Sequence, residues 1–206
     1  MKPENKKNRS IKPLIIFGII FILITAIIAL FYSSSFNIFP YIISKTEQSQ
    51  KSEDFPEIDV SDLSSTQIQI VDLLKIEYQA QPDGTKYSNG IKEPWCADFV
   101  SWIMNQAGVP LNNPNSGSWR IPGTYTLREY YESIGRFKSG DSGYQPKVGD
   151  IMLYDNPSPF GQHTNIVIKN FNGVVTTVGG NEYGKIRVFT HKTPDTTGFI
   201  GYGLLE

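Results

Sequence analysis

The sequence predicts an α+β fold in which helices come first along the chain and an antiparallel sheet follows. In three stretches between residues 66 and 134, apolar residues recur at steps of three and four, the period of one helix face. From Gly149 onward, short apolar runs alternate with polar residues and are separated by Asn172-Gly173 and Gly179-Gly180, which is typical of strands joined by tight turns. Helices followed by strands indicate that the helices pack on one face of the sheet.

The helices are predicted over about residues 66–80, 96–106 and 124–134, and the strands over about 151–154, 165–169, 174–178, 185–189 and 199–205. Ser64 and Ser65 are N-cap candidates for the first helix, and Pro94 stands just ahead of the second, where proline suits a helix entry. Trp102 falls on the polar side of the second helix. Such a large aromatic side chain needs a cover, which we expect the segment 108–134 to supply.

The N-terminus predicts a membrane anchor. Residues 1–12 hold five basic residues and one acidic residue, a charge of +4 within a total of −1, so the rest of the chain carries −5. Residues 13–32 are uncharged, and a helix of that length reaches roughly 30 Å, the thickness of the hydrocarbon core. We expect residues 1–12 in the cytoplasm, 13–32 in the membrane, 33–65 as an extracytoplasmic linker and 66–206 as the outer domain. The alternative is a cleaved signal peptide, whose apolar region is normally shorter.

The composition excludes several classes of function. A mildly acidic body gives no indication of nucleic-acid binding. One cysteine and two histidines make a structural zinc site unexpected, and no calcium-loop spacing occurs, so we expect no metal and no cofactor. Outside the cytoplasm the lone Cys96 cannot form an intramolecular disulfide, and it is either a reactive thiol or an idle one.

Cys96 falls in the first turn of the second predicted helix, where unpaired backbone N–H groups and the positive dipole end favour an anion. A thiol placed there loses its proton more easily, and the thiolate is the nucleophile. The alternative is a small buried apolar residue. A thiolate nucleophile needs a base within hydrogen-bond reach, and His163, at the start of a predicted strand, is the better candidate. His191 falls in a polar loop, where we expect it to be solvated.

A third polar group usually orients the histidine of such a pair. The predicted strand 174–178 runs into Gly179-Gly180-Asn181-Glu182, so Asn181 and Glu182 are the candidates. The alternative for both residues is an ordinary turn, because Gly-Gly-Asn is also turn chemistry.

Four motifs together resemble the CHAP domain, the family of cysteine- and histidine-dependent amidohydrolases and peptidases. They are PWCADFVSW at 94–102, GDIMLY at 149–154, GQHTNIVI at 161–168 and VVTTVGGN at 174–181, in this order. The resemblance spans about residues 66–205. It implies a papain-like α+β fold, hydrolysis of amide bonds in peptidoglycan, no metal in the catalytic step, and Cys96 and His163 as the catalytic pair.

Two positions depart from the family pattern. Many members carry a glutamate two residues before the asparagine that corresponds to Asn181, where this chain has Gly179. Many also carry a small residue two positions after the histidine, where this chain has Asn165. In that pattern the carboxylate and the asparagine share one face of a strand, since side chains alternate. We therefore predict that Asn181, not Glu182, orients His163, unless a bulge at Gly179-Gly180 reverses the alternation.

These features predict a membrane-anchored peptidoglycan hydrolase that cleaves an amide bond, as an amidase or an endopeptidase, through a Cys-His nucleophilic mechanism. Its expected partners are the peptidoglycan peptide and, through residues 13–32, the membrane. The candidate catalytic residues are Cys96, His163 and Asn181, and the candidate substrate-binding residues are Trp95, Tyr87, Trp119 and Asn165. Two alternatives stay open: a catalytically silent wall-binding or scaffold protein, and a papain-like amidase or transpeptidase acting on another extracellular substrate.

Overall fold

The computed structural model describes residues 23–25, 52–156, 158, 161–192 and 197–206. Within these residues, three α-helices precede most of the sheet: α1 (Ser65–Ala80), α2 (Cys96–Gln106) and α3 (Thr124–Ser133). The strands are β1 (Phe137–Ser139), β2 (Ile151–Tyr154), β3 (His163–Phe171), β4 (Val174–Glu182), β5 (Lys185–Lys192) and β6 (Phe199–Gly203). This mixture of helix and antiparallel sheet is the predicted class.

The strands form one sheet in the order β1-β6-β2-β3-β4-β5, and all neighbours pair antiparallel. The three-residue β1 was not predicted, because so short an edge strand carries no alternation to detect. β3 and β4 extend beyond their predicted limits at the end of the sheet where His163 and Glu182 lie. These extensions decide where the polar side chains of the candidate site are placed.

Helix α2 forms the centre of the core. Its side chains Phe99, Val100 and Ile103 are fully buried, and the helix packs against β3 and β4. The close approach depends on Gly180, because a Cβ at that position would lie 2.6 Å from the Cβ of Phe99. The first turn of α2 is therefore held against the end of β4.

The folded body begins earlier than predicted, at Ser52. The backbone N–H of Glu53 donates to the carbonyl of Val188 in β5 at 3.0 Å, and the Glu53 carboxylate accepts from the backbone N–H and the hydroxyl of Thr190. The ring of Phe55 packs against Tyr78 of α1 at 5.7 Å between centroids. The linker predicted over 33–65 is thus wrong for residues 52–65, because the polar composition of this stretch concealed its few anchoring contacts.

The predicted membrane segment, residues 13–32, lies outside the described residues except for Leu23, Ile24 and Thr25, which are helical and exposed. In the ranges that the structure describes, no helix has the length and apolar character needed to cross a bilayer.

Trp102 is covered by a different segment from the one predicted. The ammonium of Lys86 lies 4.5 Å from its ring centroid, and Tyr87 meets it edge-on at 5.4 Å. Lys86 is the last residue of a short 3-10 helix, Gly84–Lys86, and Tyr87 is the first residue of the turn that follows it. The expectation that 108–134 covers this ring is therefore wrong, since a cation over an aromatic face can replace an apolar cover.

The buried carboxylate of Glu77, on α1, holds this turn in place. It accepts hydrogen bonds from the Tyr87 hydroxyl and the Lys86 ammonium, each at 2.6 Å. Burial is the first cause that raises the pKa of Tyr87, followed by its hydrogen bond to Glu77, so the phenol stays protonated and donates. The turn leads directly to the segment that carries Cys96.

We expect Glu77→Ala to lower the free energy of unfolding by about 2–4 kcal/mol, because it leaves a buried hydroxyl without its acceptor and breaks a partly buried ion pair. We expect a smaller loss than for a fully buried ion pair, because the Lys86 side chain is 39% exposed and solvent screens its charge. Urea unfolding measures the change. Asp72→Ala, an exposed acidic residue of the same helix, is the control and should change stability by less than about 0.5 kcal/mol. Equal losses in the two variants would contradict the assigned role of Glu77.

Candidate active site

Cys96 is the first residue of α2, and its free thiol is 6% exposed. The N-cap, Trp95, makes no side-chain cap, and the first intrahelical bond runs from the Phe99 N–H to the Trp95 carbonyl at 2.9 Å. The backbone N–H groups that precede Phe99 in this turn have no intrahelical acceptor. The start of the helix therefore offers donors and a positive dipole end beside the sulfur.

His163 is the first residue of β3 and is almost completely buried. Its ring forms a hydrogen bond with Cys96, and its Nε2 lies 3.0 Å from Oε1 of Glu182, which leaves Nδ1 for the thiol. Burial alone lowers the pKa of His163, but the hydrogen bonds and charges of Cys96 and Glu182 outweigh it and raise the pKa to about 9. Cys96, His163 and Glu182 thus stand in one hydrogen-bonded row.

The prediction of which side chains at the end of β4 face His163 is wrong. Asn181 has a φ of +58°, and the pairing of β4 with β5 shifts register between Gly179 and Glu182. This bulge reverses the alternation of side chains, so Glu182, expected to point away, carries the carboxylate that meets His163. Glu182 therefore replaces Asn181 as the candidate third member.

Gly179 provides the space that the Glu182 carboxylate occupies. A Cβ at position 179 would overlap Oε1 of Glu182, lie 2.7 Å from its carboxyl carbon, and stand 3.2 Å from the Cβ of Asn165. Position 179 is where the family pattern puts its carboxylate. The chain thus delivers a carboxylate to that space from a residue three positions later, around the bulge.

Comparison with known families relates part of the chain to one of them. Residues 86–181 match the family model described as the CHAP domain, so this stretch is similar to that family. No curated protein and no solved structure matches the chain. The matched stretch includes Cys96 and His163 and ends one residue before Glu182, so it does not cover the carboxylate at 182.

The four predicted substrate-binding residues have different surroundings in the structure. Tyr87 is fully buried, packs in the core and donates to Glu77. Asn165 is 2% exposed and hydrogen-bonds the hydroxyl of Tyr154. A role of either residue in substrate binding stays a prediction. Trp119 is half-buried, and its role in substrate binding stays a prediction.

Trp95 remains at a surface that a substrate can reach. Its ring stacks on Tyr87 at 5.3 Å, and it lines a groove of about 460 Å³ between the segment before Cys96 and the turn that joins β4 to β5. The groove is mostly polar; besides Trp95, its wall includes Asp83, Thr85, Lys92, Glu93 and Lys185. The groove is of a size suited to a peptide or other small ligand.

Sequence reasoning missed a charged cluster at the start of α2. Asp98 is fully buried, and Arg120 forms ion pairs with it, at 2.7 Å between Nε and Oδ1, and with Glu93. Burial raises the pKa of Asp98 to about 6, and the charge of Arg120 opposes this. The cluster links the segment just before Cys96 to the loop between α2 and α3. An acidic residue in a first helical turn beside a lone loop arginine is too common a pattern to have revealed the pairing.

The expectation that His191 is solvated is wrong. It lies within β5, is half-buried, and its Nε2 is 3.0 Å from the hydroxyl of Tyr154. Burial lowers the pKa of His191. The strand simply continues through Thr190, which sequence alternation did not indicate. Across the described ranges, no group of three or more His, Cys, Asp or Glu side chains is arranged to hold a metal ion.

Proposed function

We propose that this protein is a peptidoglycan hydrolase that cleaves an amide bond with Cys96 as nucleophile, His163 as proton carrier and Glu182 as the group that orients His163. The CHAP domain indicates an amidase or peptidase of the cell wall in general. The observation that carries the finer proposal is the hydrogen-bonded row Cys96–His163–Glu182 at the start of α2.

The reaction follows from this arrangement. His163 holds at Nδ1 the proton that Cys96 has given up, and the sulfur attacks the scissile carbonyl carbon, so that a C–S bond forms and the oxygen becomes an oxyanion. The unpaired N–H groups at the start of α2 support a position for that oxyanion. The intermediate collapses, the C–N bond breaks, and His163 gives its proton to the leaving amine. Water, deprotonated by His163, then attacks the acyl carbon, and the C–S bond breaks to release the acid.

The groove beside Trp95 supports a peptide as the substrate. It opens next to the segment that carries Cys96 and is lined by charged groups of both signs. The stem peptide of peptidoglycan likewise carries carboxyl and amide groups. We therefore expect the peptide part of peptidoglycan, not the glycan, to occupy it.

Mass spectrometry of purified cell walls digested with the protein tests the proposal. New chain ends within or at the base of the peptide would confirm an amide hydrolase and would name the bond, distinguishing an amidase from an endopeptidase. Intact walls that nevertheless bind the folded protein would instead support the silent wall-binding alternative. Cleavage of the glycan strands would contradict the proposal.

The pH dependence should report the proton on His163. The pKa of His163 is raised to about 9, so its ring is protonated below that pH. Above that pH the ring has lost the proton that the leaving amine needs. We therefore expect kcat/KM to fall on the alkaline side, near pH 9. Glu182→Gln removes a negative charge, which lowers the pKa of His163 and should move this limb to lower pH. The exposed Glu129→Gln is the control and should leave it in place. An unmoved limb in Glu182→Gln would contradict the assigned role.

We also propose that residues 13–32 anchor the protein and that the body from Ser52 onward lies outside the cytoplasm. The support is the +4 charge ahead of an uncharged apolar run. Protease added to intact spheroplasts should digest the body, and the mature chain should still begin near residue 1. A mature N-terminus near Phe36 would show that the segment is a cleaved signal peptide, and a protected body would contradict the orientation.

A further inference from the structure

A buried tyrosine connects the chain's second histidine to the environment of the first. Tyr154, the last residue of β2, is 2% exposed and stands directly opposite His163 in the register of β2 with β3. The two rings lie 6.3 Å apart between centroids, tilted by 33°. Tyr154 therefore lies beside the imidazole of His163.

The hydroxyl of Tyr154 has three hydrogen-bond partners that fix the ring: the sulfur of Met152 at 3.6 Å, Asn165 and His191. The amide of Asn165 hydrogen-bonds it, and since Oδ1 of Asn165 has no partner, the amide nitrogen is the donor. The hydroxyl proton is then available for Nε2 of His191, at 3.0 Å. This bond needs a neutral His191, which burial favours and the charge of Glu53 opposes.

The side chain of Asn165 also borders the Glu182 carboxylate, which orients His163. Asn165 and the Glu182 carboxylate both adjoin the space above Gly179, and the second oxygen of that carboxylate, Oε2, is buried without a hydrogen-bond partner. A carboxylate that reaches back across a bulge, bonded through one oxygen only, relies on packing for its orientation. Asn165 borders that carboxylate, and the amide of Asn165 is in turn hydrogen-bonded to Tyr154.

We propose that Tyr154, held by Asn165 and His191, is a positioning residue that keeps the His163 ring and the Glu182 carboxylate aligned with Cys96. The inference rests on the proposed function only for the roles of Cys96, His163 and Glu182. The ionisable groups acting on His163 are Cys96 of α2 and Glu182 of β4, and those acting on His191 are Tyr154 of β2 and Glu53.

The test is the pH profile of Cys96 alkylation by iodoacetamide, measured on the full chain, because this readout needs no wall hydrolysis. Tyr154→Phe keeps the ring and removes the hydroxyl. It should lower the alkylation rate near neutral pH on the order of tenfold, moving the profile toward that of an ordinary thiol, because a misaligned imidazole no longer pairs with the thiolate. His191→Ala should act in the same direction, and His191→Gln, whose side-chain oxygen can accept from the tyrosine, should restore much of the rate.

Tyr144→Phe is the matched control. Tyr144 packs in the same small apolar cluster and donates its hydroxyl to Asp150 at 2.8 Å, outside the His163 environment. Tyr144→Phe should lower the free energy of unfolding by a similar amount to Tyr154→Phe and leave the pH profile of Cys96 alkylation unchanged. A wild-type profile in Tyr154→Phe, or an equal shift in Tyr144→Phe, would overturn the proposal. If Tyr154→Phe fails to fold, the comparison of His191→Ala with His191→Gln decides, and equal profiles in those two variants would also overturn it. Normal alkylation effects without wall hydrolysis would instead refute the proposed function alone.

Discussion

Cys96→Ala should abolish wall hydrolysis, with a loss on the order of 10⁴-fold or more, while the protein stays folded. The thiol is the group that forms the acyl-enzyme, and losing the nucleophile of such a unit removes nearly all of the rate that the unit supplies. Alanine suits the first turn of α2, because it has the highest helix propensity and is smaller than cysteine. Rates of muropeptide release by wild type and variant give the comparison.

The control for this variant is Met104→Leu, a buried residue of the same helix. The swap conserves volume, so it should cost less than about 1.5 kcal/mol and keep most of the activity. Circular dichroism establishes that Cys96→Ala is folded. Lysis of walls by a folded Cys96→Ala protein would refute the nucleophilic role of Cys96.

Gly179→Ala should reduce kcat/KM on the order of 100-fold, although it adds only one methyl group. A Cβ at 179 would overlap Oε1 of Glu182, so the carboxylate must leave the Nε2 of His163. In a Glu182→Ala background the methyl group meets no carboxylate, and adding Gly179→Ala should cost little more. This non-additivity is the signature of two residues that share one space.

Gly123→Ala is the matched control, because its Cβ would meet only an ordinary contact at 3.7 Å and its φ of −115° suits any residue. It should change kcat/KM less than twofold. The double variant Gly179→Glu with Glu182→Ala returns the carboxylate to the position used by the family pattern, and it should recover part of the activity lost in Glu182→Ala. If Gly179→Ala costs the same in both backgrounds, its effect arises from the backbone and not from Glu182.

Sequence periodicity predicted the helix that begins at Cys96 and the strand over 165–169 that follows His163, because both signals are local. The three-and-four spacing after Pro94 indicates one helix face, and the alternation from Asn165 to Lys169 indicates a strand, whatever lies around them. The predicted fold class and CHAP resemblance are confirmed by the sheet and by the match over 86–181. The expected reactive thiol and its histidine are also close in space.

The surroundings of His191 were predicted wrongly because they depend on a contact that is distant in sequence. Its Nε2 lies 3.0 Å from the hydroxyl of Tyr154 on another strand. The fully buried Tyr87 likewise donates to Glu77, which lies on α1. Neither contact can be recognised from the residues next to it in the sequence, and the polar neighbours of His191 therefore suggested a solvated loop.

By itself the sequence determined the order of helices and strands, the location of Cys96 at a helix start and the identity of its histidine partner, since each depends on neighbours within a few residues. Only the tertiary structure decided between Asn181 and Glu182. That choice depends on the register shift between β4 and β5 from Gly179 to Glu182. Side chains alternate along a strand, so one extra residue on β4 moves the side chain of Glu182 from the face away from His163 to the face toward it.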